Sequence, residues 1–328
     1  MIPNVIHFVF GLKENFGDKP FSLIHYLAIR SAYECNKPDA IKFHYKYEPT
    51  GEWWDKIKPY LTLVKVEPPK EIFGNPLLHY AHQADVLRLE ILLKEGGIYL
   101  DMDVLCLNSF EPLRRRHAFV MGREEERGLC NAVILAEPGA EFLKKWYAQY
   151  ISFRSQGRDQ FWFEHSVTVP AQLAQKFPEL IHIEDKYSFF WPYYQGSPIT
   201  LWERATDGAQ DELMVQLKKE FVFHFLSTSF CIHLWEQLWW EDYLKYVTFD
   251  NLMTSSNNFS RLARGVLNPT GHIMKKIFQC LRPLCKALIS IYLPKTDVIK
   301  EVSEPQKKPL KIAPFESTLI PGSAISDQ

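Results

Sequence analysis

Asp101 and Asp103 stand two residues apart, directly behind Glu95-Gly96-Gly97-Ile98-Tyr99-Leu100. A glycine pair followed by an apolar run reads as a helix end feeding a short buried strand. Strand side chains alternate between faces, so Asp101 and Asp103 are expected on one face and Met102 on the other. Two carboxylates converging at a strand end repel each other. The usual resolution is a divalent cation, held by hard oxygen ligands beside the phosphate oxygens of a substrate. A solvated turn carrying two surface acids is the alternative. A bare Asp-x-Asp does not choose between them, but the glycine pair and the apolar strand favour the cation.

Three more residues are placed to join that chemistry. Asp85 and Arg88 lie three apart, hence on one face, of a helix predicted over 77–94. The remainder of that helix is mostly apolar, with Ala84, Leu87 and Ile91 on one stripe and Leu89, Leu92 and Leu93 close by. The pair reads either as a surface salt bridge or as a polar insert aimed into a site. The helix leads straight into the Gly-Gly strand. His233 sits in the apolar run Cys231-Ile232-His233-Leu234-Trp235, followed by Trp239-Trp240. A lone imidazole there is either a hydrogen-bonded core residue or a third ligand, since imidazole binds Mn²⁺-class ions alongside carboxylates.

The elements that must position these groups alternate between strand and helix. Residues 2–10 read as a strand closed by Gly11, 21–35 as a helix, and 41–47 as a second strand. A short helix over 52–60 precedes a third strand over 61–66. After the Asp-x-Asp unit, 104–107 is expected to continue its strand. The cluster Glu124-Glu125-Glu126-Arg127 is expected to be a solvated loop. Asn131 opens another short strand over 131–136, and helices follow over 140–153 and 169–177, with a strand at 181–183. Residues 189–194 are too aromatic and too proline-broken for a helix, and 221–225 alternates weakly as a strand would. Alternating strands and helices imply βαβ units and a mainly parallel sheet with both faces covered.

The chain of 328 residues is long for one domain and short for three. Its organisation shifts near residue 255, giving a domain over 1–250, a linker with a helix over 251–293, and a disordered tail over 294–328. Within 272–293, Ile273, Ile277, Leu281, Leu284, Leu288 and Ile291 recur at helical spacing, with Lys275, Lys276, Arg282 and Lys286 mostly opposite. That basic amphipathic segment is expected either to dock on the domain or to make a peripheral membrane contact. A net charge of −1 argues against a nucleic-acid protein that works by bulk electrostatics. Aromatics at 14% would suit a cleft that stacks sugar or base rings, or simply a core. The six cysteines form no CxxC pair and read as buried thiols. The first residues read as a core strand, not a signal peptide, and no run of about 20 apolar residues occurs. A cytoplasmic protein, soluble or peripheral at a membrane surface, is expected.

Taken together, Ile2-Pro3-x-x-Ile6-His7-Phe8, then Ala84-Asp85-x-x-Arg88-x-x-x-Leu92, then Gly96-Gly97-Ile98-Tyr99-x-Asp101-x-Asp103 resembles the glycosyltransferases with a DXD sugar-binding region, of the family-32 type. The resemblance covers roughly residues 1–245, and its specific part is 84–103. It implies a GT-A-like, Rossmann-type α/β fold with a mostly parallel sheet. It also implies transfer of a sugar, with retention of configuration, from a nucleoside-diphosphate sugar to a hydroxyl of a glycan or glycolipid acceptor. By the same resemblance Asp103 would ligate Mn²⁺ (or Mg²⁺), Asp101 would hold the donor and support the metal, and His233 would complete the site. Asp85 and Arg88 would bind the donor's sugar and diphosphate. Residues 7–10, among them His7, Phe8 and Val9, would flank its base, and Asn131 would add a polar contact. Asp101, Asp103 and Arg88 would thus carry the catalysis. Two departures stand out: Ala84 replaces a common serine, and Glu236-Gln237-Leu238 replaces small residues beyond Trp235. Two other functions compete. An aspartate-nucleophile phosphatase would place its Asp-x-Asp in the first strand with a threonine soon after, which this chain does not. A non-catalytic nucleotide-sugar-binding protein would bind the donor without turning it over.

Overall fold

The computed structural model describes residues 1–17, 20–124, 128–194, 201–202 and 229–267. The strand expected over 221–225, the amphipathic segment 272–293 and the tail 294–328 lie outside the described residues. The elements are β1 (Val5–Val9), α1 (Leu23–Asn36), β2 (Ala40–Tyr45), α2 (Glu52–Ile57), β3 (Thr62–Lys65), β4 (Glu71–Ile72) and β5 (Asn75–Pro76). Next come α3 (Tyr80–Glu95), β6 (Gly97–Leu100), β7 (Val104–Cys106), α4 (Glu111–Arg116), β8 (Phe119–Glu124) and β9 (Gly128–Ala136). Then follow α5 (Glu141–Gln149), α6 (Val169–Lys176), β10 (His182–Glu184), α7 (Lys186–Phe189), β11 (Cys231–His233), α8 (Glu236–Trp239), α9 (Phe249–Thr254) and α10 (Asn258–Leu267).

The α/β expectation holds. A seven-stranded sheet runs in the order β10-β8-β9-β6-β1-β2-β3. The pairs β6–β1, β1–β2, β2–β3 and β10–β8 are parallel, and only β9 runs antiparallel to its neighbours. Alternation along β1 and β6 divides two cores. Ile6, Phe8, Ile98 and Leu100 pack with Ile29 and Ala32 of α1, whereas Val9 and Tyr99 pack with Leu89 and Leu92 of α3. Both faces of the sheet are therefore covered by helices, as parallel strands require.

The chain builds outward from β1 to β2 and β3, then returns through α3 to place β6 on the other side of β1. Strand order reverses there. In open α/β sheets such a switch point leaves a crevice at the carboxyl ends of the two strands, because the following loops diverge.

Two local readings are corrected. β7 does not prolong β6. It pairs antiparallel with β11 in a separate two-stranded sheet, because the chain turns sharply after Leu100. The apolar segment 119–124 forms a strand that the sequence reading passed over, and Glu124 is a buried end of it instead of part of a solvated loop. Beyond residue 250 the chain stays folded: Phe259 and Ala263 of α10 are buried with Leu23, Ile24 and Leu27 of α1. Among the described residues Cys35, Cys106, Cys130 and Cys231 form no disulfide, and the last three are buried, as expected. Among the described residues no helix is long and apolar enough to cross a membrane.

Candidate active site

α3 ends at Gly96 and β6 begins at Gly97, with φ of 64° and 110°. The glycines answer to crowding as well as to φ. A Cβ at Gly97 would lie 2.5 Å from the Val5 carbonyl oxygen, and one at Gly96 would lie 2.5 Å from Pro138 Cδ. The pair lets a buried helix dive directly into the sheet beside β1.

Asp101, Met102 and Asp103 form a turn. The Asp101 N–H donates to the Ala132 carbonyl at 2.9 Å, and the Val104 N–H closes back on the Asp101 carbonyl at 3.1 Å. Strand alternation therefore does not bring the two carboxylates together; the turn does. The third member arrives through the β7–β11 pairing, whose register sets His233 opposite Val104. His233 Nε2 lies 3.2 Å from Asp103 Oδ2. The Glu236 N–H donates to the same oxygen at 2.7 Å, and the Leu234 N–H to the Asp103 carbonyl at 2.9 Å. One ligand atom each from Asp101, Asp103 and His233 falls within 4.8 Å of the others.

Arg88 organises the other side. Its Nη1 lies 3.0 Å from Asp101 Oδ1 and donates to the Asn131 carbonyl at 2.8 Å, while Nη2 lies 3.2 Å from Asp85 Oδ1. Its guanidinium also stacks on the Tyr99 ring, and the Tyr99 hydroxyl donates to Asp101 Oδ1 at 2.8 Å. Asn131 Nδ2 donates to Asp85 Oδ1 at 2.7 Å, and His82 Nδ1 stands 3.4 Å from Asp85 Oδ2. Asp85 and Arg88 are thus neither a surface salt bridge nor free: both are buried and joined to Asp101.

The electrostatics follow from this wiring. Burial raises the Asp101 pKa, and the Asp103 charge adds to that against the pull of Arg88. Burial also opposes ionisation of Asp103, but the His233 imidazole overcomes it and brings the pKa down to about 2. Burial works against the charged form of His233, and Asp103 more than compensates, leaving its pKa raised. Burial likewise opposes the Asp85 charge, and Arg88 outweighs it, so its pKa falls.

A cavity of about 380 Å³ opens at the switch point. Asp85, Arg88, Asp101, Asp103, Asn131 and His233 all reach its wall. Val9 and Phe10 line it from the end of β1. His7 and Phe8 do not, which corrects the expectation that they flank a ligand. Phe8 is fully buried in the α1-side core. His7 is fully buried below the Gly-Gly turn, with Nε2 2.9 Å from the Gly96 carbonyl oxygen and Nδ1 3.1 Å from His44 Nε2. Conversely, Tyr99, Glu124, Trp162 and Glu236 line the cavity and were not picked out as site residues. Tyr99 was within reach, since it shares a strand face with Asp101. The others are brought in only by tertiary structure.

The donor set fits a divalent cation. Two carboxylates and an imidazole converge, and His233 Nδ1 is buried without a hydrogen-bond partner among the described residues. A family model described as "Glycosyltransferase sugar-binding region containing DXD motif" matches residues 32–120. Glucan organizing enzyme 1 of Cryptococcus neoformans is 34% identical over 282 residues, which are 82% of this chain and 72% of that protein. Inositol phosphoceramide mannosyltransferase 3 of Schizosaccharomyces pombe is 44% identical over 61 residues, 19% of this chain and 17% of that protein. Among solved structures, the galactosyltransferase LgtC, in complex with donor and acceptor sugar analogues, aligns over 80% of this chain and 95% of its own. It does so at 16% identity and a TM-score of 0.40.

Proposed function

The chain belongs to the glycosyltransferases whose sugar-binding region contains a DXD motif, and on that premise we propose that it moves a sugar from a nucleoside-diphosphate sugar to a hydroxyl of a glycan or glycolipid. The transfer is metal-dependent and retains configuration. Asp103, Asp101 and His233 hold Mn²⁺ or Mg²⁺, and their convergence within 4.8 Å at the switch-point cavity is the observation that carries the reading.

The bound cation supplies positive charge against the diphosphate that leaves the sugar. The protein's own groups do the positioning. Val9 and Phe10 present an apolar wall to the base at the end of β1. Asp85, held at Oδ1 by Arg88 and Asn131 and with Oδ2 beside His82, presents its carboxylate edge at the cavity wall to the donor's sugar hydroxyls. Arg88 acts on the donor through Asp101, which it clamps together with Tyr99. Asp101 then holds the donor from a set orientation, a condition for rapid reaction.

No carboxylate is free to act as a covalent nucleophile among those already wired. Asp85, Asp101 and Asp103 each have several partners, and Glu236 is engaged by His25. Front-face attack by the acceptor hydroxyl, on the side the diphosphate leaves, is the route this favours. Glu124, itself partnered by the Cys130 side chain, is the remaining carboxylate on the described wall, and a covalent glycosyl-enzyme would be sought there. The test is a panel of nucleotide sugars incubated with Mn²⁺, with the released sugar's first-formed anomer read by NMR. An α-linked donor is expected to yield the α product with no trapped adduct. A β product, or a glycosylated Glu124 peptide in a quenched reaction, would overturn the route. Tight donor binding with no turnover across the panel would favour a donor-binding protein instead.

A further inference from the structure

We propose that His25 and Glu236 form a positioning pair that holds the 233–238 turn on Asp103 and so keeps the metal site assembled. The inference rests on the metal reading above. His25 lies on α1, remote in sequence from the other site residues, and is fully buried. The Ser22 backbone N–H donates to its Nδ1 at 3.0 Å. A backbone amide can only donate, so Nδ1 must be the unprotonated nitrogen and Nε2 must carry the hydrogen. That Nε2 faces Glu236, 3.3 Å from Oε1 and 3.4 Å from Oε2. Packing holds the imidazole in this pose: it stacks parallel to Trp240, and Phe10 and Phe21 lie within 4.9 and 5.3 Å between ring centroids.

Glu236 is therefore gripped at both ends. Its carboxylate takes the His25 N–H, and its own backbone N–H donates to Asp103 Oδ2 at 2.7 Å. The residue before it, Trp235, has φ of 56° and ψ of 46°, a left-handed conformation that a bulky side chain adopts only with support. The Trp235 indole N–H to the Pro192 carbonyl at 3.2 Å is one support, the Leu238 and Trp239 N–H groups on the Trp235 carbonyl are another, and the His25–Glu236 contact fixes the next residue. Releasing that contact lets the turn relax and withdraws a hydrogen bond from the oxygen that His233 also faces. Outer partners of metal ligands act in this way, and losing one typically weakens metal binding by about 10- to 100-fold. The same pair ties the wall near Phe10 to the metal end of the cavity.

The experiment titrates Mn²⁺ by electron paramagnetic resonance into wild type, Glu236→Ala, Glu236→Gln, His25→Phe and the Glu236→Ala/His25→Phe double variant. Amide exchange over 233–238 is measured on the metal-free proteins. Glu236→Ala is expected to weaken Mn²⁺ about tenfold and to speed exchange across the turn. Glu236→Gln, whose amide oxygen can still accept from His25, should stay within about twofold of wild type. The double variant should be no worse than either single, because a pair is lost only once. Exchange and Mn²⁺ affinity unchanged in Glu236→Ala would overturn the proposal. So would fully additive losses, or a Glu236→Gln as impaired as alanine, which would mean that Glu236 touches the ligand itself. Should His25→Phe not fold, the two Glu236 variants decide alone. A wild type that binds no Mn²⁺ would defeat the metal reading, and the exchange arm would still judge the pair.

Discussion

Arg88 is the residue on which the charges of the site balance. It is buried between Asp85 and Asp101, and it also donates from Nη1 to the Asn131 carbonyl and from Nε to the Ala84 carbonyl. Arg88→Met would leave the buried Asp85 and the half-buried Asp101 without their counter-charge. The expected cost is about 3–5 kcal/mol in urea denaturation, since an orphaned buried charge is far dearer than a lost surface pair. A loss below about 1 kcal/mol would show the carboxylates to be solvated. Arg88→Lys keeps the charge but not the planar fork that spans both acids. It should retain most of the stability and lose at least about tenfold in Mn²⁺-dependent donor turnover, read in a nucleotide-release assay. Asp85, Arg88, Asp101 and Asp103 were legible in the sequence because each is a charge set in an apolar context. Glu124, His25 and Glu236 were not, because only the packing of distant segments makes them neighbours of the site.

The helix–glycine–strand element shows how far local pattern carries. Its helix end, its buried strand and the position of its acids were all readable, yet the acids converge through a turn and not through strand alternation. His7, braced beneath it by His44, is expected beside the donor's base from the resemblance alone; β1 reaches the cavity only at its end, through Val9 and the following Phe10, and not through His7 or Phe8. Gly97→Ala should cost about 2–4 kcal/mol, since the new methyl group would meet the Val5 carbonyl and His7 at an unfavourable φ. An unchanged melting temperature would contradict the close approach of β6 to β1. The histidine pair also makes stability pH-dependent. Burial, as the largest cause, lowers both His7 and His44 from 6.5 to about 4. The unfolded chain therefore binds protons below pH 6.5 that the native protein refuses until about pH 4. Stability is fully present above 6.5 and falls as pH drops through that window, by up to roughly 3 kcal/mol for each histidine titrating alone. In His44→Gln the urea midpoint should fall less between pH 7 and pH 4.5 than in wild type. An equal fall would assign the acid sensitivity elsewhere.

At the scale of the molecule, the reversal of strand order between β1 and β6 opens the cavity, and a second excursion of the chain completes it. β11 returns to pair with β7 and delivers His233 to Asp103. The alternation of strands and helices made the α/β class plain from the sequence. The antiparallel β8–β9 hairpin and the separate β7–β11 sheet were not, because long-range pairing leaves little local periodicity. Residues 258–267 fall within the stretch expected over 251–293 as linker and amphipathic helix, yet Phe259 of α10 is buried against α1, the helix that also carries His25. Phe259→Ala is expected to cost about 3–5 kcal/mol in thermal or urea unfolding, as for other fully buried phenylalanines. A cost under about 1 kcal/mol would mean that α10 is not docked. The proposed function requires Asp101, Asp103 and His233 to form one cation site serving a nucleotide-sugar donor. Its most direct test is donor hydrolysis by wild type and Asp103→Ala, with and without Mn²⁺. Wild-type turnover that needs Mn²⁺ and is lost in the variant is the predicted result. Turnover that survives Asp103→Ala, or that is indifferent to the metal, would contradict it.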